Sequence, residues 1–369
     1  VEAQIIAMLI KNIRLFHAKI KLIKPYKLSF KTITKLDSIV IEIELENGAK
    51  GVGEAVPLKG YSHETRESII NDIKYVINKI DSMDVYLLKG FIEEKLENSP
   101  FVVSAFLVAV EMAINKFPIP SRISIPLVCS ISAGSNYTRL VKKAHNYYEN
   151  GFRTIKIKVG RDLKNDCLLA KKLLDELPED YRIRFDANQG YNYQQATEFI
   201  ASMCNSNLGM VELIEQPFGI FQWSEHKKLI RDFPEIPIMI DESIITRDDI
   251  TKAADIRATH VKLKLFKHKG ITDLLDLAKY ARELGLKVVL GNGVSSSIGN
   301  LQEAVAYKIF QNFEQASEGN GFTRLVDETM INPPKLFAGC LEWSSSDVIG
   351  INQFNDQVYS LIFQIKGVN

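Results

Sequence analysis

The sequence predicts an α/β protein, a closed barrel of parallel strands and crossover helices with a separate α+β segment ahead of it. Three observations predict this. From about residue 150, short apolar runs alternate with amphipathic helical stretches, the pattern of parallel strands joined by helices. The starts of those runs recur at roughly 22 to 30 residues, the length of one strand-helix unit. Residues 10–55 instead alternate with the period of long strands.

Taken in order, the barrel strands are expected at 126–132, 153–158, 181–186, 211–215, 236–240, 258–264, 286–291 and 314–318. Eight parallel strands close naturally into a barrel. Between them, Asp162 to Leu177 places Leu163, Cys167, Leu169, Leu173, Leu174 and Leu177 close to helical spacing. Thr272 is expected to cap a helix that ends at Leu284, with Gly285 just past its end. Upstream, Glu46-Asn47-Gly48 reads as a hairpin turn, and helices are expected at about 64–80 and 102–116. Beyond residue 325 the strand-helix repeat stops, and the tail is expected to pack back on the first domain. The division is therefore 1–122, 123–325 and 326–369.

Composition excludes several classes. In a chain of 369 residues, 46 Lys+Arg against 45 Asp+Glu leave a net charge of +1, which gives no support to a nucleic-acid or membrane-surface role. Cys129, Cys167, Cys204 and Cys340 are widely separated and form no metal-binding knuckle, so a reducing, cytoplasmic setting is expected. The apolar start, up to Ile10, is too short to span a bilayer and lacks the basic flank of a signal peptide; Met8 is a candidate start.

The strand ends carry the chemistry, because a parallel barrel builds its site where its strands end. Lys156-Ile157-Lys158 puts two lysines on one face of an otherwise apolar run. The next three strands end in carboxylates, at Asp186, Glu215 and Asp241, and the one after them in Lys262-Leu263-Lys264. Three carboxylates at one level would repel one another in a low-dielectric mouth, and a bound Mg²⁺ removes that conflict. The metal could hold a substrate carboxylate and stabilise the enediolate formed when the α-proton leaves. A lysine beside other lysines and a dication is expected to lose affinity for its proton and so to act as a base. Lys158 and Lys264, four strands apart, could address opposite faces of one carbon.

These residues, with Gly51-Val52-Gly53-Glu54-Ala55, Asp186-Ala187-Asn188, Glu215-Gln216-Pro217 and Asp241-Glu242-Ser243, resemble the muconate lactonizing branch of the enolase superfamily over nearly the whole chain. The resemblance implies a modified TIM-type (β/α)7β barrel, capped by an α+β domain formed from the N-terminal segment and part of the C-terminal tail. It implies Lys158 and Lys264 as bases on opposite faces and Lys156 as a partner of the substrate carboxylate. Asp186, Glu215 and Asp241 become Mg²⁺ ligands, with Asn188 and Gln216 behind them. Ser296, Glu318 and Tyr26 are further candidates for contact with substrate or support of the site. Asn292, where the mandelate racemase branch has histidine, argues against that branch.

The chain departs from its relatives in three places. Lys269-Gly270 stands where the branch usually has a glycine pair, and 291–296 reads Gly-Asn-Gly-Val-Ser-Ser instead of Gly-Gly-Met-Leu-Glu-Ser. Dipeptide epimerases usually carry Asp-x-Asp at the eighth strand for the substrate ammonium, whereas this chain has Glu318-Gly319-Asn320.

Each residue also has a plainer reading. A lone Lys-x-Lys is usually a solvated edge, carboxylates at strand-helix junctions are often caps, and one of Lys262 and Lys264 could be a surface residue on a distorted strand, Lys264 fitting the family spacing better. The six histidines are scattered and form no ligand pair. Tyr26 and Phe30 lie between the first two long strands, in a loop that covers the site in this family. The reading is a racemase or epimerase of an N-acylamino acid or dipeptide, acting on a small carboxylate. Muconate-type cycloisomerisation and dehydration to o-succinylbenzoate are alternatives, and a non-catalytic barrel is a remote one. Oligomeric state stays open, a homo-oligomer included.

Overall fold

The computed structural model describes residues 8–27, 32–79, 84–132, 136–314, 316–345 and 352–366. Phe30 lies outside them. The N-terminal region is an antiparallel sheet of β1 (Ile10–Lys27), β2 (Thr32–Leu45) and β3 (Lys50–Ala55), with Gly48 at φ +82° in the turn between β2 and β3. Three helices cover it: α1 (Arg66–Lys79), α2 (Val85–Lys95) and α3 (Pro100–Ala113). Strand alternation splits β2 between two cores. Ile39, Ile41 and Ile43 pack under the helices, while Leu36 and Val40 join the main barrel core. Gly51 and Gly53 have a packing reason: a Cβ on either would collide with the α3 backbone at Ala109 or Ala105.

The chain then makes β4 (Arg122–Pro126) before entering the barrel at β5 (Val128–Ser132). The barrel continues through α4 (Tyr137–Glu149), β6 (Thr154–Lys158), α5 (Leu163–Glu176), β7 (Arg182–Asp186), α6 (Tyr193–Ala201) and β8 (Val211–Glu215). After these come α7 (Trp223–Asp232), β9 (Ile238–Ile240), α8 (Arg247–Asp255), β10 (His260–Leu263), α9 (Ile271–Glu283), β11 (Lys287–Leu290) and α10 (Ser297–Phe310). All seven barrel strands pair in parallel, in sequence order.

The eighth position is taken by residues 313–314 and 316–318, which among the described residues make bridges and not a full strand. Phe313 pairs with Val288 on one side and Ser317 with Leu127 on the other. The backbone hydrogen bonds Glu318 N to Leu290 O (3.2 Å) and Val128 N to Ser317 O (2.9 Å) close the ring between last and first strands.

The tail supplies β12 (Lys335–Phe337) and β13 (Cys340–Ser344), which form a small sheet with β4, and β14 (Ser360–Lys366), which adds to the edge of β1. The strand expected over 126–132 is β5 (Val128–Ser132), and only Pro126 of that run belongs to β4, which lies outside the barrel and pairs with β13. All four cysteines are free, and among the described residues no helix is long and apolar enough to cross a membrane.

The first region is fastened to the barrel by two buried carboxylates at helix N-termini. Glu54 of β3 accepts from Ser296 N (3.0 Å) and Gly299 N (3.1 Å) at the start of α10. Glu111 of α3 accepts from Ile271 N (2.7 Å) and Thr272 N (3.0 Å) at the start of α9. Both take up amides that a helix cannot satisfy internally, at the end where its dipole favours an anion. Thr272 is therefore not the cap of α9. Gly270 holds the cap position without a side-chain bond, and the capping oxygen comes from the other region. Lys269, where the resemblance leads one to expect glycine, adopts the left-handed conformation directly, at φ +60°.

Candidate active site

The cavity at the C-terminal ends of the barrel strands gathers Lys156, Lys158, Asp186, Asn188, Glu215, Asp241, Lys264 and Glu318, with Tyr26 and Tyr61 from the first region above them. Strand register explains the convergence. Lys158 pairs with Asp186, Asp186 with Glu215, and Glu215 with Met239, so three polar side chains stand at one level and Asp241 follows two residues on. Lys156, one period earlier, points the same way as Lys158.

Charges interleave in this cluster. The Lys156 Nζ lies 2.8 Å from Asp186, 2.9 Å from Glu215 and 3.1 Å from Glu318. Lys262 Nζ is 2.6 Å from Glu215 and 2.8 Å from Glu318, and Lys264 Nζ is 2.7 Å from Asp241 Oδ2. Lys158 is less enclosed and donates to Asn188 Oδ1 at 3.1 Å. Lys262 is fully buried, which removes the reading of either member of the 262/264 pair as a surface residue. Gly291, at the end of β11, makes room for both: a Cβ there would lie 2.7 and 2.9 Å from Lys262 carbons and 3.1 Å from Lys264 Cγ.

Electrostatics follow the pairing. Burial alone would pull the Lys264 ammonium below its ordinary pKa, but Asp241, Tyr61 and Glu242 together outweigh it and the net direction is upward. Lys156 is likewise raised, burial being overcome by Asp186, Glu215 and Glu318. The fall expected from lysine crowding is absent at these two because carboxylates sit at their ammonium groups. A fall does occur at Lys267, to about 8, but burial causes most of it, more than the nearby Asp241 restores, with the Lys264 charge adding less. Glu215 is raised by burial and then by the Asp186 charge.

Asn188 and Gln216 form a supporting layer. Gln216 receives Asp241 N (2.9 Å) and donates to Ser243 Oγ (2.8 Å) and Phe218 O (2.9 Å), tying the end of β8 to that of β9. Asn188 donates to Glu242 Oε1 (3.2 Å), and its own N–H goes to Asp186 Oδ1 (3.0 Å). Both adopt left-handed backbone, at φ +42° and +37°. Ser296 stands apart from the mouth: it is the N-cap of α10, its Oγ accepting from Ile298 N (3.2 Å). Glu318 lies in the mouth with its carboxylate on Lys156 and Lys262.

Sequence reasoning did not single out Glu242, Lys267, Tyr61 or Arg324. Glu242 was signalled by its place next to Asp241. Tyr61, whose ring lies 5.4 Å from Lys264 Nζ, comes from a separate loop, and no local pattern marks it.

The donor set suits a hard divalent cation. Asp186, Glu215 and Asp241 offer oxygens from adjacent strand ends, and Asp241 Oδ1 and Glu242 Oε2 are buried with no hydrogen-bond partner. Among the described residues no three such side chains converge on one point as they stand, because Lys156 and Lys262 draw the carboxylates toward themselves.

The chain matches known families at both ends. Residues 10–115 match the mandelate racemase/muconate lactonizing enzyme N-terminal domain, and residues 139–351 match the enolase C-terminal domain-like family. An L-Ala-D/L-Glu epimerase of Francisella tularensis subsp. novicida is 30% identical over 302 residues, 76% of this chain and 83% of that protein. The substrate-liganded L-Ala-D/L-Glu epimerase of Bacillus subtilis superposes with a TM-score of 0.83 at 23% identity, over 94% of this chain and 100% of the other. A muconate lactonizing enzyme of Pseudomonas fluorescens does so at 0.80 and 22%, over 95% and 98%. By these matches the chain belongs to the mandelate racemase/muconate lactonizing enzyme family of the enolase superfamily.

Proposed function

We propose that this protein is an isomerase that inverts the α-carbon of a dipeptide or N-acylamino acid by removing its α-proton on one face and returning one on the other. The observation that carries this reading is the placement of Lys158 and Lys264, at the ends of β6 and β10 on opposite sides of one cavity. The family match, with L-Ala-D/L-Glu epimerases among the relatives, supports it.

Asp186, Glu215 and Asp241 are the residues that would hold Mg²⁺. The ion would bind the substrate carboxylate and offset the negative charge that grows on it as the α-proton leaves. At the start of a turnover one lysine is a neutral amine and the other an ammonium. The amine takes the α-proton and becomes an ammonium; the opposing ammonium gives its proton to the other face and becomes an amine. Asn188 orients Lys158 through its 3.1 Å contact. Tyr61, which lines the cavity with its ring 5.4 Å from Lys264 Nζ, shields that face from water.

Proton NMR in D₂O with Mg²⁺, on dipeptides and N-acylamino acids, tests the reading by loss of the α-proton signal. Exchange with inversion upholds it. No exchange, with lactone formed from muconate, would replace it with a cycloisomerase.

A further inference from the structure

A second cavity shares a wall with the active-site mouth. Tyr26, Ser130, Asn320 and Arg324 line both. Behind that wall the lining is basic: Lys24 and Lys143 join Arg324, and among the described residues none of these three makes an ion pair. Half-buried Arg324 lies with its guanidinium 3.9 Å from the Tyr26 ring centre and donates to Asn320 Oδ1 at 3.1 Å. It is fixed against β1, since Leu325 bridges Leu22 and Val326 N donates to Lys21 O at 2.9 Å. Partial burial, then the positive charges of Arg324, Lys24 and Arg139, hold the Lys143 ammonium below its ordinary pKa.

The mouth side of this wall offers little to a cation. Glu318 is compensated by Lys156 and Lys262, and Asn320 is neutral, spending its side-chain amide on Val128 O (2.9 Å) and its oxygen on Arg324. A substrate ammonium placed here would face uncompensated positive charge, whereas a carboxylate would meet a planar guanidinium able to bind it bidentately.

We propose that Arg324, backed by Lys143, binds a second carboxylate of the substrate, so that the preferred substrate is a dianion with one carboxylate at the strand-end acids and the other behind Tyr26. This rests on the α-proton chemistry proposed above. The second carboxylate belongs either to the N-acyl group or to the amino-acid side chain, and the same experiment separates the two.

The test compares α-proton exchange in D₂O with Mg²⁺ for two matched pairs. N-succinyl-L-alanine against N-butanoyl-L-alanine places the charge on the acyl arm; N-acetyl-L-glutamate against N-acetyl-L-glutamine places it on the side chain. The inference expects the anionic member of one pair to exceed its neutral partner in kcat/KM by about 10- to 100-fold, the range for a hydrogen bond to a charged group. Arg324→Gln should collapse that ratio toward one, and Arg324→Lys should keep part of it. Equal rates within both pairs would overturn the inference and leave the α-proton chemistry standing. A ratio that survives Arg324→Gln would also overturn it. Exchange from none of the four would overturn both.

Discussion

Replacing Glu111 by alanine would remove the oxygen pair that caps α9 from the other region of the molecule. Two buried amides, Ile271 N and Thr272 N, would then lose their acceptors at 2.7 and 3.0 Å. Hydrogen bonds to a charged group are worth about 1.5–3 kcal/mol each, and part of that is offset because a buried carboxylate no longer has to be desolvated. Burial does push the Glu111 carboxyl above its ordinary pKa, the sign of that desolvation. The net cost is about 2–4 kcal/mol. With an unfolding entropy of ~2.1 cal/mol/K per residue, a chain of 369 residues would lose about 3–5 °C in Tm.

The loss also has a direction in function. The segment between Lys264 and α9 is held by Glu111 at one end and by Ser104 Oγ, 3.2 Å from Leu265 O, at the other. Loosening it moves Lys264 and leaves Lys158 on its own strand. Exchange from the enantiomer that Lys264 serves should fall by about 10-fold, and exchange from the other enantiomer by much less. Differential scanning and D₂O exchange on both enantiomers read the two effects. A Tm change under 1 °C with symmetric activity would refute the clamp.

Two further outcomes follow from the same geometry. Mg²⁺ at about 100 times its Kd should stabilise the fold by about 2.7 kcal/mol, a rise in Tm of about 3–4 °C that EDTA reverses and Asp241→Asn diminishes. No shift at millimolar Mg²⁺ would count against the acidic strand ends as ligands. His260, buried at the start of β10, has its pKa lowered to about 4 by burial and then by Lys287. Below its ordinary value near 6.5 the unfolded chain takes up a proton that the folded chain refuses, so stability falls as pH drops from about 6.5 to 4. The limit of that term is about 3 kcal/mol, and His260→Gln should make this limb of a urea-unfolding series shallower, with buried His268, lowered to about 3, and His226 supplying the rest; an unchanged limb would show that His260 does not contribute to it.

The barrel was legible because its strands are apolar runs at regular spacing and its chemistry sits at their ends. The elements that escaped reading are those decided by distant partners. The cap of α9 comes from Glu111, about 160 residues away, so the local Thr272 misled. Lys262 looked dispensable beside Lys264 because sequence gives the face of a strand but not which carboxylates await on others. The pairing of β4 with β13 and of β1 with β14 joins distant segments, and local alternation contains no trace of it. Helix α2 did leave a signal, Asp84 accepting from Tyr86 N and Leu87 N, which is an N-cap pattern passed over between two longer helices.

The two-base claim is tested most directly by single-lysine variants on resolved enantiomers. With Lys158→Ala and Lys264→Ala each assayed by α-proton exchange in D₂O and by optical rotation, inversion should vanish in both. Each variant should keep exchange from one enantiomer only, and from opposite enantiomers. Full inversion in either variant would contradict the assignment of Lys158 and Lys264 to opposite faces of the α-carbon.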